Sequence, residues 1–238
     1  MLTTPPAGTQ RQLARRAGVL YVLMAIIGPI GLLYVPSQIV VAGDATATAD
    51  NVRNAAWLLR LGIASDLVHQ ILAVFLVLAL QALFRPVSDS LARLVVILGA
   101  LVSVPIVFLN TLNHVAALTL TSGAAYLAAF DRPQLDALTY LFVHLHSQGL
   151  VVASVFWGLW LFPFGLLVIR SGFIPRPIGV LLIAAGVGYV LTSFTTLTVP
   201  GHAPLVSHIA SPLLIGELPV IFWLLIWGVR ERAVAAPS

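Results

Sequence analysis

Apolar residues in this chain come in long unbroken runs rather than in alternating or strictly helical periods. Crossing a hydrocarbon layer about 30 Å thick takes ~20 residues of helix at ~1.5 Å each. Six windows meet that length: Ala17 to Val35, Leu61 to Phe84, Leu94 to Asn113, Leu150 to Ile169, Ile178 to Val199 and Leu205 to Val229. The pattern predicts an all-α polytopic membrane protein with six transmembrane helices. The longest gap between windows, His114 to Gly149, is short for an independent soluble domain. The expected organisation is therefore a single six-helix transmembrane domain over 17–229, with tails at 1–16 and 230–238.

The connections carry their own signals. In GDATATADNVRNAAWLLR a Gly-Asp turn precedes Asp44 or Thr46 as N-cap, predicting an interfacial helix that feeds the second span. In TSGAAYLAAFDRPQLDALTYLFVHLH, Asp131 precedes Pro133, the order expected of a helix start, and that helix should run straight into the fourth span. Tyr126, Phe130 and Tyr140 suit an interfacial aromatic belt. Gly99 and Ser103 are spaced for close helix approach, and Pro105 and Pro163 should kink their spans. A faint likeness between GVLYVLMAIIGPIGLLYVP and GVLLIAAGVGYVLTSFTTLTVP is the only internal repetition, and generic apolar similarity accounts for it.

Composition agrees, at 60% hydrophobic and 8% charged residues with mean hydropathy +1.03; a water-soluble globule is excluded. The formal net charge of +4 does not point to nucleic acid, because the arginines stand singly beside apolar runs. They point to topology. With the N-terminus inside, Arg11, Arg15, Arg16, Arg85, Arg93, Arg170, Arg176, Arg230 and Arg232 are cytoplasmic, and only Arg53, Arg60 and Arg132 lie outside. Both termini are thus expected in the cytoplasm. All 12 basic residues are arginine, a habit of GC-rich bacterial genomes, which makes the bacterial inner (plasma) membrane the expected location. The first apolar run is long for the core of a signal peptide, so it is read as a span. Without cysteine there is no disulfide, thiolate nucleophile or Cys-type metal site, and any metal must be held by His, Asp or Glu.

Ionisable groups at membrane depth are costly, which makes each a functional candidate. Here they gather in the outer half. Asp66 and His69 sit roughly 7 to 12 Å inside the second span, and Glu217, about 18 Å into the sixth, is nearest the midplane. Asp66, His69 and Gln70 share a face at i, i+3, i+4, as do Asn110 and His114 at i, i+4. His144 and His146 lie ~200° apart, so only one can face inward. Candidate ligand-binding residues are Asp66, His69, Asn110, His114, His146 and Glu217. Candidate metal ligands are His69, His114, His146 and Asp66, and candidate catalytic groups are Asp66, Glu217 and His146. Polar glue between helices is the plain alternative, and it suits His144, His202 and His208 best.

Four functions fit this inventory. The foremost is binding or moving a small lipophilic molecule or ion. The others are an intramembrane enzyme (metal-dependent hydrolase or acid-catalysed isomerase or cyclase), a b-type haem protein with two axial histidines, and an accessory subunit of a membrane complex. Zinc and haem both stay open as cofactors, and the bilayer is the one certain partner. There is no Walker A, GxGxxG or GxSxG pattern.

The order of several blocks resembles a bacterial integral-membrane family, domain of unknown function 4386. The blocks are ARRAGVLYVLMAIIG, VPSQIVVAGDATATADNVRNAAWLLRLGIASDL, LHSQG followed by VFWGLWLFPFGLLVIRSGFIPRPIGVLL, AGVGYV and IGELPVIFWLLIWGV, covering Arg15 to Val229. Gly43, Asp44, Arg60, Asp66, His146, Gly158, Arg170, Ser171, Pro175, Gly179, Gly188, Tyr189 and Glu217 match its pattern, whereas His69, His114 and His208 have no counterpart in it. The resemblance implies an architecture and no activity.

Overall fold

The computed structural model describes residues 7–229; Arg230, Arg232 and the tail expected at 230–238 lie outside them. The described residues hold helices and turns and no strand. Among the described residues six helices are long and apolar enough to cross a membrane: α1 Gly8–Ile39, α3 Ala56–Phe84, α4 Asp89–Leu120, α5 Arg132–Ser171, α6 Arg176–Thr198 and α7 Pro200–Trp227. Between α1 and α3 lies a short helix, α2, Ala45–Asn54. All six exceed or shift from the purely apolar windows, because the helices continue into flanking polar residues at their ends.

Caps explain where several begin. Asp44, in extended conformation, accepts a hydrogen bond from the Ala47 N–H at 2.9 Å and starts α2. Asp131 accepts from the Gln134 N–H at 2.8 Å while the Gln134 side chain accepts from the Asp131 N–H at 3.0 Å, a reciprocal capping box. From there α5 does run without interruption into its span, as far as Leu159, and after a turn at Trp160 resumes from Leu161 to Ser171. The turn lies three residues ahead of Pro163, whose ring nitrogen has no hydrogen to give the ladder. Proline also marks α1. After Pro29 the residues Ile30–Tyr34 form a π turn, and the Ser65 hydroxyl enters the widened ladder, accepting from the Gly31 N–H (3.2 Å) and donating to the Ile27 carbonyl (2.7 Å). Ser65 thereby bridges the two groups that an uninterrupted α-helix would join directly. Ser65→Ala is expected to cost about 1–3 kcal/mol, since the buried Gly31 N–H and the part-buried Ile27 carbonyl both lose a partner; thermal unfolding in detergent measures it.

The chain divides into two compact units: one of Met1–Leu23, Leu72–Ser103 and Ser154–Ser238, the other of Met24–Ile71 and Val104–Ala153. In the first unit α5 and α6 pack backbone against backbone. A methyl group on Gly165 would meet the Gly179 carbonyl at 2.6 Å, and one on Gly158 the Gly186 carbonyl at 2.7 Å. These pairs are two turns apart on both helices, a small-residue seam of the kind that lets membrane helices touch without hydrophobic drive. Around it Phe84 packs on Phe164 and Phe173, and Trp160 stacks on Phe164 at 5.4 Å. Trp157 donates its indole N–H to Ser103 at 2.9 Å.

The second unit is layered. At the α2 end, Arg53 bridges Asp50 (2.7 Å) and Asp136, and Arg132 reaches Asp50 (2.6 Å) and Asp136 (3.6 Å). Burial works against the Arg53 charge, but its hydrogen bonds to Asp136 and Asp50 outweigh this and raise its pKa. Beneath lies an apolar cluster of Val35, Ile39, Val52, Leu58, Leu59, Ala117 and Val143. One to two turns further along α3, α4 and α5 come the polar side chains of the candidate site.

Candidate functional site

Two glycines of α1 seat the polar face of α3. A methyl group on Gly31 would lie 2.4 Å from Asp66 Oδ1, and one on Gly28 would lie 2.9 Å from the His69 ring. The three-residue spacing of Gly28 and Gly31 matches that of His69 and Asp66 on the antiparallel neighbour, so each polar side chain fills the gap that a missing Cβ leaves. The carboxylate of Asp66 is thus pinned, with its second oxygen turned toward α4 and α5.

Those helices bring His114 and His146. Both are buried, and their rings stack with centroids 3.4 Å apart and planes at 23°. The Asp66 Oδ2 and His146 Nε2 atoms are 3.2 Å apart, close enough for an ion pair but not directed as a hydrogen bond, for both atoms are without a hydrogen-bond partner. His114 Nδ1 is the third buried atom of this unit without one. A donor atom from each of Asp66, His114 and His146 lies within 4.8 Å of the other two.

Asn110 fixes the orientation of His146. Its amide donates to the His146 carbonyl (2.8 Å), while its own backbone carbonyl faces His146 Nδ1 at 3.2 Å. The Asn110 side-chain amide nitrogen, which can only donate, also lies 3.3 Å from His146 Nδ1; in the tautomer that pairs Nδ1 with the Asn110 backbone carbonyl, Nδ1 carries the hydrogen and Nε2 presents a lone pair toward Asp66. Asn113 in turn donates to Asn110 Oδ1 at 2.9 Å. Gly149 makes room for this: a methyl group there would fall 2.0 Å from Asn110 Oδ1.

The family model described as "Domain of unknown function (DUF4386)" matches residues 16–228. The chain belongs to that family. No curated protein and no solved structure matches it. In this DUF4386 chain, four of the candidates read from sequence (Asp66, Asn110, His114 and His146) come together in one place. His69 does not join the three-residue group; its Nδ1 lies 3.1 Å from the Gln70 amide nitrogen. His144, His202 and His208 are exposed. The stacked His114 and His146 rings leave no gap for a macrocycle, so as placed they do not form a bis-histidine haem site.

Glu217 belongs to the other unit. It ends a short 3₁₀ turn, Ile215–Glu217, between Pro212 and Pro219, and accepts a short hydrogen bond from the Tyr21 hydroxyl and another from Tyr189. Tyr21 is buried and its ring leans on Trp160 at 6.1 Å. Sequence reasoning missed these two phenols as partners, because nothing in a helical apolar run says which tyrosine turns inward. It likewise missed Gly28, Gly31 and Gly149 as seats, although the matched spacing of GPIG and DLVH was a usable signal.

Proposed function

We propose that this multi-pass membrane protein binds a small ion or molecule at Asp66, His114 and His146. The observation that supports this is the meeting of three buried polar atoms without hydrogen-bond partners on three different helices. Each such atom costs about 1–3 kcal/mol if nothing satisfies it. Polar glue would have paired them, as it pairs Ser154 with Ser193 at 2.6 Å elsewhere in the chain. The arginine distribution favours a site in the outer half of a bacterial inner membrane, with both termini cytoplasmic. Glu217 lies outside this reading.

Native mass spectrometry of the full chain released from mild detergent tests it. Wild type is expected to carry a mass increment above the polypeptide, absent from Asp66→Asn. A folded wild type whose mass is that of the polypeptide alone would sink the proposal.

A further inference from the structure

Resting on that reading, we infer that the ligand is a single divalent transition-metal ion held by Asp66 Oδ2, His114 Nδ1 and His146 Nε2. With the His146 hydrogen on Nδ1, toward the Asn110 carbonyl, Nε2 is a lone-pair atom and Asp66 Oδ2 is an acceptor as well, and the two stand 3.2 Å apart with no hydrogen bond between them. Two acceptors that close repel one another unless positive charge lies between or beside them. A proton shared by the pair would need the aligned geometry they lack. A cation coordinated by both does not, because its bonds run from each lone pair to the ion rather than from one atom to the other.

Size and donor chemistry narrow the cation. Zinc binds imidazole nitrogen and carboxylate oxygen at about 2.0–2.2 Å, which in tetrahedral geometry sets donors roughly 3.3 Å apart. The Asp66 to His146 separation of 3.2 Å has that length. A group whose donors lie within 4.8 Å of one another encloses one atom and not an organic molecule. One carboxylate and two imidazoles form a borderline set suited to zinc and its late-transition neighbours, whereas calcium and magnesium take oxygen ligands. Around the donors the pattern of built metal sites repeats: the other ring nitrogen of His146 faces a backbone carbonyl at 3.2 Å, and Asp66 is seated against Gly31. Three protein ligands leave a fourth coordination position for water or another small ligand.

The test is metal content by plasma mass spectrometry on the full chain, purified in mild detergent without a metal-binding tag, before and after incubation with zinc alone. Wild type and the exposed-histidine control His144→Ala are expected to carry about one ion per chain, and His114→Ala and Asp66→Asn to lose at least ~10-fold in occupancy. Should those variants fail to fold, cobalt loading of the wild type serves in their place: the visible spectrum of a nitrogen- and oxygen-ligated tetrahedral ion is expected, and a spectrum equal to that of cobalt in buffer overturns the inference. Metal-free wild type after zinc incubation also overturns it. If that metal-free protein still shows the mass increment, the binding reading stands and the ligand is not a metal. If it shows neither, both fall.

Discussion

Gly149→Ala is expected to lower stability by about 3 kcal/mol, at the upper end of overpacking costs, and to empty the site. The added methyl group would sit 2.0 Å from Asn110 Oδ1 and 2.8 Å from its amide nitrogen. Asn110 is buried and cannot swing into solvent; it must move along its own helix and release His146. The two effects are separable. In Gly149→Ala combined with Asn110→Ala the clash is gone, so most of the lost stability returns, while His146 stays unoriented and ligand occupancy stays ~10-fold or more below wild type. Thermal unfolding and the ligand mass increment, read on both variants, check this. If the double variant is no more stable than Gly149→Ala alone, the clash is not the cause.

Asp136→Ala is expected to cost about 2–3 kcal/mol. Breaking a fully buried ion pair by removing one partner costs ~3–5 kcal/mol, but Arg53 is 20% exposed and keeps Asp50, which reduces the penalty. Asp136 itself is 2% exposed, so water cannot take its place beside Arg53. Asp136→Asn, which keeps an acceptor for Arg53, should lose less than half as much. Because the buried contact is poorly screened, the loss is expected to change little between low and high salt. A loss that vanishes in salt would show instead that Asp136 acts only through the long-range field.

The six spans were legible because the thickness of a bilayer imposes a length that no soluble helix needs, and an apolar run advertises it. The caps at Asp44 and Asp131 were legible for a similarly local reason: a short acceptor side chain reaches an N–H three residues ahead. The candidate site was legible only by cost, since Asp66, His114 and His146 are polar groups where polar groups are rare. What could not be read was rotation. His69 stands as close to Asp66 in sequence as any partner could, yet the seats at Gly28 and Gly31 send the two side chains to different neighbours. His114 and His146 come from helices that the chain joins only by a long connection, so their stacking depends on how α4 and α5 turn about their axes. The same ignorance hid Tyr21 and Tyr189 from Glu217.

The apolar layer of Val35, Ile39, Val52, Leu58, Leu59, Ala117 and Val143 has a consequence for time rather than for affinity. It lies between the three polar side chains and the Arg53–Asp136 network, so nothing wet leads from that end to the site. An ion that came or went on that side would have to wait for the layer to part, at the rate of a local opening rather than of ligand exchange. A chelator or an incoming ion approaching from that end would meet the same delay, so loading and stripping by that route would share one slow step however weak the binding.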